Sequence, residues 1–493
     1  RTVAIYAEED KLGLHRFKAD EAYRIGKGMG PVAAYLSIPE IIRVAKMCGA
    51  DAIHPGYGLL SENPDFVDAC EEAGIKFIGP KAETMRKLGD KASARRVAME
   101  AGVPVVPATD VLPDDMNKVR QMAEEVGYPF MLKASWGGGG RGMRPIMDAS
   151  ELEEKVLEGR REAEAAFGNG EGYLERLVER ARHVEVQILG DSFGEIYHLY
   201  ERDCSVQRRN QKVVERAPAP YLTEEQRSEI CSLGRKICAH VGYECAGTVE
   251  FLMDMDTEEF FFIEVNPRVQ VEHTVTEEVT GIDIVRAQIK IAEGKTLARS
   301  TGANSQADIK LNGHALQTRI TTEDPQNNFI PDYGRISAYR SATGLGIRLD
   351  GGTAYSGAVI TRYYDSLLVK ITAKASSPEN AIARMDRALR EFRIRGVSTN
   401  IAFVINLLKH PTFLDNSYTT KFIDNTDELF DFKPRRDRAT KILNYIADIT
   451  VNGHPDVQGR PVPDINTRAI KVPNNLNTQP AYGTRNLLEE KGP

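Results

Sequence analysis

Over the first 85 residues short apolar runs alternate with stretches of helical spacing. Val3-Ala-Ile-Tyr6, Asp51-Ala-Ile53 and Ile75-Lys-Phe-Ile78 predict strands. Residues 39–47 between the first two have helical spacing, with Pro39 in the first turn and Gly49 just past the end. Asn63-Pro64 caps a second helix that ends at Gly74. This order predicts parallel strands with crossover helices. Ligands usually bind on loops leaving the C-terminal ends of such strands, and His54-Pro-Gly-Tyr57-Gly58 lies on one. From residue 312 to 432, β-rich segments precede two helices. One starts at Ser377-Pro378 and buries Ile382, Met385, Leu389 and Phe392; the other covers residues 401–408. Residues 433–493 begin as a basic helix and turn Pro- and Asn-rich after Val451, the composition of a linker or a partial further domain.

Phe130-Met-Leu-Lys-Ala-Ser135 predicts a strand running into Gly137-Gly-Gly-Gly-Arg-Gly142. The glycines match G-x-G-x-x-G formally, but a dinucleotide site needs a helix opening at the last glycine. Here Met143-Arg-Pro145-Ile-Met147 continues extended, and no helix starts before the capping-box pattern Ser150-Glu-Leu-Glu153. The chain also lacks GxxxxGK[ST], which excludes a P-loop. What remains is a strand–glycine loop–strand flap whose bare backbone N–H groups suit phosphates, with Lys133 on the entering strand aimed at the same anion. An idle hairpin turn is the bland alternative, set against the entropic cost of four consecutive glycines.

The strongest pattern is Gly247-Thr-Val-Glu250-Phe-Leu-Met-Asp254, a turn, and then residues 259–273. Strand side chains alternate faces, so Glu264, Asn266, Arg268, Gln270 and Glu272 are expected to share one face. A solvated outer face is the competing reading, although such faces seldom mix acid, amide and Arg without Lys, Ser or Thr. A turn centred near Thr257 would set Glu250 opposite Glu264. Two facing carboxylates and an amide oxygen are the hard ligands Mg²⁺ prefers, and without a cation the acids would repel. Arg268 and Gln270 suit a small planar oxyanion, and Glu272 is a candidate general base. The charged run 201–215 lies between apolar segments, which makes an inward-facing cation plausible. His183 reads equally well as a packed histidine or a ligand, and nothing local singles out Arg319.

With 64 Lys and Arg against 71 Asp and Glu, the net charge of −7 excludes a broad nucleic-acid surface but not a small cationic pocket. No apolar run approaches the ~20 residues that cross a bilayer. No signal-peptide pattern opens the sequence, so an aqueous intracellular location is expected. The six cysteines form no CxxC pair and read as reduced, mostly buried thiols. At ~150 residues per domain, the 493 residues suggest roughly three domains.

Together these residues resemble the biotin carboxylase component of biotin-dependent carboxylases, an ATP-grasp family. The likeness covers nearly all of residues 1–430. It is carried by His54-Pro-Gly-Tyr-Gly58, Leu60-Ser-Glu-Asn63, Phe77-Ile-Gly-Pro-Lys81, the flap, residues 201–220, residues 262–273, and Arg319 with Glu323-Asp-Pro325. Ser135-Trp136, Arg208-Arg-Asn210, residues 319–325 and the later Arg436-Asp-Arg-Ala-Thr-Lys441 and Val451-Asn-Gly-His-Pro455 are similar to the pyruvate-carboxylating branch rather than the acetyl-CoA-carboxylating one.

The resemblance implies an α/β ATP-grasp fold. A Rossmann-like parallel-sheet domain would span 1–85, the ATP-grasp domain 86–305 with a lid near 107–178, and a mixed α+β domain 306–432. ATP would meet Lys91, Lys133, Gly138, Gly139, Gly140, Glu175, Val178, His183, Gln207 and Lys212. Mg²⁺ (or Mn²⁺) would be held by Glu250, Glu264 and Asn266, and bicarbonate by Arg268, Gln270 and Val271. Glu272 would be the base and Arg319 the residue steadying biotin's enolate, with Tyr57 also on the substrate side and Lys212 counted as catalytic. The implied activity is ATP- and bicarbonate-dependent carboxylation of biotin through carboxyphosphate, as the first half-reaction of pyruvate carboxylation. The implied partners are bicarbonate, biotin, carrier and carboxyltransferase domains supplied elsewhere, and further copies of the chain, with no nucleic acid or membrane. The expected location is the cytoplasm, or the mitochondrial matrix in a eukaryote. Two family features are absent: the opening strand and helix, which suggests a fragment or an unrecorded start, and the biotin-accepting Met-Lys-Met context. The alternatives are the biotin carboxylase of an acyl-CoA carboxylase, an ATP-grasp ligase with another acceptor, and a nucleotide-sensing module without turnover.

Overall fold

One antiparallel sheet of eight strands organises the unit Arg1–Phe432 of this computed structural model. Across the sheet the order is Phe260–Asn266, Cys245–Asp254, Ala181–Gly190, Ile196–Arg208, Gln211–Ala217, His314–Thr321, Leu367–Ala375 and Ile347–Gly351. The structure describes residues 1–89, 91–134, 144–352, 354–432, 438–454 and 456, the side chains of 91, 92, 166, 167, 438 and 440 apart.

Period-two alternation gives the sheet two unlike faces. Val184, Val186, Ile188, Val249 and Phe251 point one way and share a core with Val97 of helix Lys91–Glu100 and with Ile230 and Ile237 of helix Glu224–His240. Farther across, Val214, Leu316, Ile320, Ile371 and Ala373 pack with Met385 and Leu389 of helix Pro378–Glu391 and with Phe403 and Val404 of helix Ile401–Leu407. The other face is polar at its centre, while Leu189 and Ala246 at one end pack with Ile284 and Ala287, and Ala217 and Ala315 pack with Val275 and Val279. Glu264, Glu250, Glu185 and Arg202 are successive cross-strand partners on four neighbouring strands. Glu215 opposes Gln317, which opposes Thr372, and Arg319 opposes Lys370, which opposes Asp350. Helix His273–Thr280 covers this face, with Thr274 bonded to Gln317 and, at 2.9 Å, to Thr372.

The expected parallel pairing at the N-terminus is present, but as two separate pairs: Val3–Tyr6 with Glu21–Arg24, and Ala52–Ile53 with Lys76–Phe77. Gly49 ends helix Ile38–Cys48 at φ +64°, and Asn63 caps helix Pro64–Glu72 by accepting from the N–H groups of Asp65 and Phe66. Strands Arg144–Ile146, Phe130–Ala134 and Gly172–Arg176 form a small sheet. With helices Met116–Val126 and Leu152–Phe167 it encloses its own core of Val119, Phe130, Leu132, Ile146, Val156 and Leu174. The expected hairpin is therefore in place, with Phe130 opposite Ile146, while the glycine loop itself lies outside the described residues. The capping box at Ser150 does not form. Asp148 takes both Ser150 donors, and helix Leu152–Phe167 starts from Glu151 without a side-chain cap.

The unit Lys433–Pro493 contains helix Arg438–Asn452, on which Ile442, Leu443, Tyr445 and Ile446 are exposed. All six cysteines are free thiols. Among the described residues no helix is long and apolar enough to cross a membrane.

Candidate active site

The hairpin of Cys245–Asp254 and Phe260–Asn266 has the expected register: Glu250 lies directly opposite Glu264, and Thr248 opposite Asn266. Apolar Val249 and Val265 between these acids and amides pin the register by burying their side chains in the core behind.

The polar row does not continue as a strand, which corrects the expected alternation through Glu272. The strand ends at Asn266, because Pro267 has no N–H to offer a ladder. Residues 267–272 turn instead, and Glu272 becomes the N-cap of helix His273–Thr280. The turn separates the row. Arg268 is half-buried and directs its guanidinium to Glu62 (3.3 Å) and Asn266 Oδ1 (3.1 Å). Gln270 and Glu272 are buried and turn back over the sheet.

Their meeting point is Lys212. Its ammonium donates to Glu185 Oε2 at 2.5 Å, Glu250 Oε1 at 2.9 Å and Glu272 Oε1 at 2.6 Å. Register shifts between Lys212 and Arg216 re-aim this strand. Glu250 Oε1 also accepts from Asn266 Nδ2 and Gln270 Nε2, both at 2.9 Å, and Glu250 Oε2 lies 3.1 Å from His183 Nε2. On the other side Arg319 binds Glu272 Oε2 at 3.1 Å and Glu215 Oε1 at 2.6 Å, while Gln317 donates to Glu215 Oε2 at 2.9 Å.

Burial alone would raise the Glu272 carboxyl, but Lys212, opposed by Glu185 and aided by Arg319 and Arg202, holds it at about 2. Burial likewise works against Glu250, and Lys212 and His183 override it, keeping that carboxyl well below the usual range. Glu215 goes the other way: burial, with Glu272 nearby, raises it despite Arg319. The site thus holds charged acids beside one whose proton is more easily kept.

Of the other expected residues, Lys133 and Glu175 form an ion pair between neighbouring strands of the small sheet. Val178 packs with Val106, Ala181 and Phe261. Gln207 is the hairpin partner of Lys212, with its amide on the Cys204 carbonyl at 2.8 Å. Val271 offers its carbonyl to Lys370 at 2.7 Å, and the Lys370 ammonium sits 5.9 Å from the ring centre of Tyr57. The Lys91 side chain and Gly138, Gly139 and Gly140 lie outside the described residues. Sequence reasoning missed Glu185, Arg202, Glu215 and Lys370. The signal for Arg202 was the inward cation expected within 201–215; the others sit singly on strands whose neighbours only the fold reveals.

Glu250 and Glu264 are direct cross-strand partners, while the Asn266 amide turns its nitrogen to Glu250 Oε1 and its oxygen to Arg268. Among the described residues, the side-chain groups drawn within 4.8 Å are His183–Glu185–Glu250 and Glu185–Cys204–Glu272.

A sheet that gathers acids, a lysine and an arginine on one face, beside a small subdomain carrying a glycine-rich hairpin, defines an ATP-grasp enzyme. Residues 90–300 match the family described as carbamoyl-phosphate synthase L chain, ATP binding domain. Residues 1–85 match the biotin carboxylase N-terminal domain and residues 317–425 the biotin carboxylase C-terminal domain. The chain belongs to the biotin carboxylases, ATP-dependent ligases of the ATP-grasp fold.

It is 52% identical over 493 residues to the pyruvate carboxylase of Bacillus subtilis, covering 100% of this chain and 43% of that protein. The Rhizobium etli pyruvate carboxylase T882A structure with acetyl coenzyme A superposes with a TM-score of 0.82 at 66% identity, covering 94% of this chain and 41% of that one. The biotin carboxylase domain dimer of Hydrogenobacter thermophilus 2-oxoglutarate carboxylase, solved with MgADP, ADP and bicarbonate, superposes with a TM-score of 0.82 at 45% identity, covering 88% and 94%. The chain thus spans less than half the length of the curated pyruvate carboxylases it matches.

Proposed function

We propose that this chain carries out the ATP- and bicarbonate-dependent carboxylation of biotin as the first half-reaction of pyruvate carboxylation. The observation that carries the reading is one lysine, Lys212, bonded at once to Glu272 and Glu250, with Arg319 on the other Glu272 oxygen. Bicarbonate is a poor nucleophile and needs a base beside a phosphate-binding cation. Arg268 and Gln270 would hold the anion. Glu272 would take its proton as a bicarbonate oxygen bonds to the γ-phosphorus and the bond to ADP breaks. Lys212, whose ammonium holds the Glu272 carboxyl low, would offset the charge of the triphosphate when ATP binds, and its turning away from Glu272 would raise the basicity of that carboxylate. Carboxyphosphate then releases CO₂ and a basic phosphate. That phosphate removes the ureido proton of biotin while Arg319 faces the developing oxyanion. Mg²⁺ on Glu250, Glu264 and Asn266 would offset the phosphate charge.

We assign Lys133, Glu175, Val178, His183, Gln207, Lys91 and the flap glycines Gly138–Gly140 to the ATP side, and Tyr57 and Val271 to the substrate side. Residues 1–85, 86–305 and 306–432 are read as the three catalytic domains, and 433–493 as a connection to later ones. Pyruvate as final acceptor and a mitochondrial location are carried from the names of relatives, and dimeric pairing from the Hydrogenobacter thermophilus domain dimer; the carrier and carboxyltransferase domains and the cytoplasmic alternative follow from the family resemblance. The direct test is phosphate release from ATP with bicarbonate, free biotin and Mg²⁺ omitted in turn. Each omission is expected to lower turnover, bicarbonate and Mg²⁺ most. Turnover indifferent to biotin would favour another acceptor, and ATP-dependent thermal stabilisation without phosphate release would favour a sensing module.

A further inference from the structure

Arg202 is fully buried at the centre of the polar face, one strand beyond Glu185, and its guanidinium has a partner on each nitrogen. Nε donates to Glu185 Oε1 at 2.6 Å. One terminal nitrogen donates to Gln187 Oε1 (2.7 Å) and Thr276 Oγ1 (3.0 Å), the other to Thr248 Oγ1 (3.2 Å) and Gln270 Oε1 (3.1 Å). Five acceptors on two strands, the turn and the covering helix thus converge on one planar fork. Lysine, with three donors on a single nitrogen, cannot reproduce that set.

We propose that Arg202 is a positioning residue for bicarbonate, acting through Gln270; the inference rests on the bicarbonate assignment above. A glutamine amide has two ends of nearly equal shape and opposite polarity, so its orientation must be imposed from outside. Arg202 is a permanent donor and fixes Oε1. Nε2 is thereby turned to Glu250 Oε1 at 2.9 Å. The donation to Thr276 ties the same guanidinium to helix His273–Thr280, whose N-cap is Glu272. The anion-holding amide and the base therefore keep one spacing because one side chain holds both supports. Arg202 also shares the Glu185 carboxylate with Lys212, each on a different oxygen, so Lys212 is not the sole cation neutralising that buried acid. Neither role puts Arg202 in contact with substrate.

The test uses the full chain and measures bicarbonate-dependent phosphate release. Arg202→Lys is expected to raise the KM for bicarbonate about tenfold or more while the KM for ATP stays within about twofold, a split that general loosening would not produce. In a Gln270→Ala background the same change should add little, because the effect passes through that amide. If Arg202→Lys fails to fold, the near-isosteric pair Thr248→Val with Thr276→Val removes two of the acceptors and should shift the bicarbonate KM in the same direction, by a few-fold. An unchanged bicarbonate KM in whichever of these variants folds, or full additivity with Gln270→Ala, overturns the proposal. A wild-type chain without bicarbonate-dependent turnover would instead overturn the functional reading beneath it.

Discussion

The two faces of the eight-stranded sheet come from the same strands and do opposite work. Val249 and Glu250, or Ile371 and Lys370, are chain neighbours that the pleat sends to opposite sides. The apolar face packs against helices in two clusters, where each side chain matters mainly through the volume it fills. On the polar face side chains act through direction. Lys212, Arg202 and Arg319 each bridge groups far apart in sequence, and every buried acid there has a named cation. A substitution on one face should therefore change stability with chemistry preserved, and on the other the reverse.

The largest separation is expected at Glu272. Glu272→Gln removes the base but keeps the shape, and should lower bicarbonate-dependent phosphate release by about 100-fold or more. ATP binding by calorimetry and the urea midpoint should stay near wild type. Near-normal turnover would strip the polar face of its base.

Next comes Phe251, fully buried and edge-on to Phe262 at 6.3 Å. Phe251→Ala should destabilise the chain by about 3–5 kcal/mol in urea unfolding, with the bicarbonate KM of the folded fraction unchanged. A changed KM would mean the two faces are not separable.

The smallest effect concerns acid. Burial, with Arg235 nearby, lowers the His198 imidazole from 6.5 to about 4, so the folded chain holds it neutral while the unfolded chain protonates it. Between those values the unfolded state binds more protons, and stability should fall as pH drops from about 6.5 to about 4. His198→Gln should flatten part of that decline in urea midpoints measured across the window. An identical slope in wild type and variant would remove the contribution.

Much of this arrangement was readable from residue order, because it is local. A turn near Thr257 set Glu250 against Glu264, and Gly49 and Asn63-Pro64 marked helix ends where the structure has them. The alternation beyond Asn266 fits a strand by period two, but the same period also describes an irregular segment, and Pro267 ends the ladder there. The Ser150 capping pattern does not form because Asp148, two residues earlier, accepts from the Ser150 N–H and draws its hydroxyl into donating. Strand Glu21–Arg24 gave no apolar run to notice. Arg202, Glu185 and Glu215 are ordinary charged residues in sequence and become a site only through pairing across strands 17 to 104 residues apart.

The central claim is that the polar face activates bicarbonate as a nucleophile toward ATP. Turnover with ¹⁸O-labelled bicarbonate, followed by mass analysis of the released phosphate, tests it most directly. The account predicts one labelled oxygen in each phosphate formed by bicarbonate-dependent turnover. Phosphate that carries only unlabelled oxygen, from water attack on ATP, would contradict it.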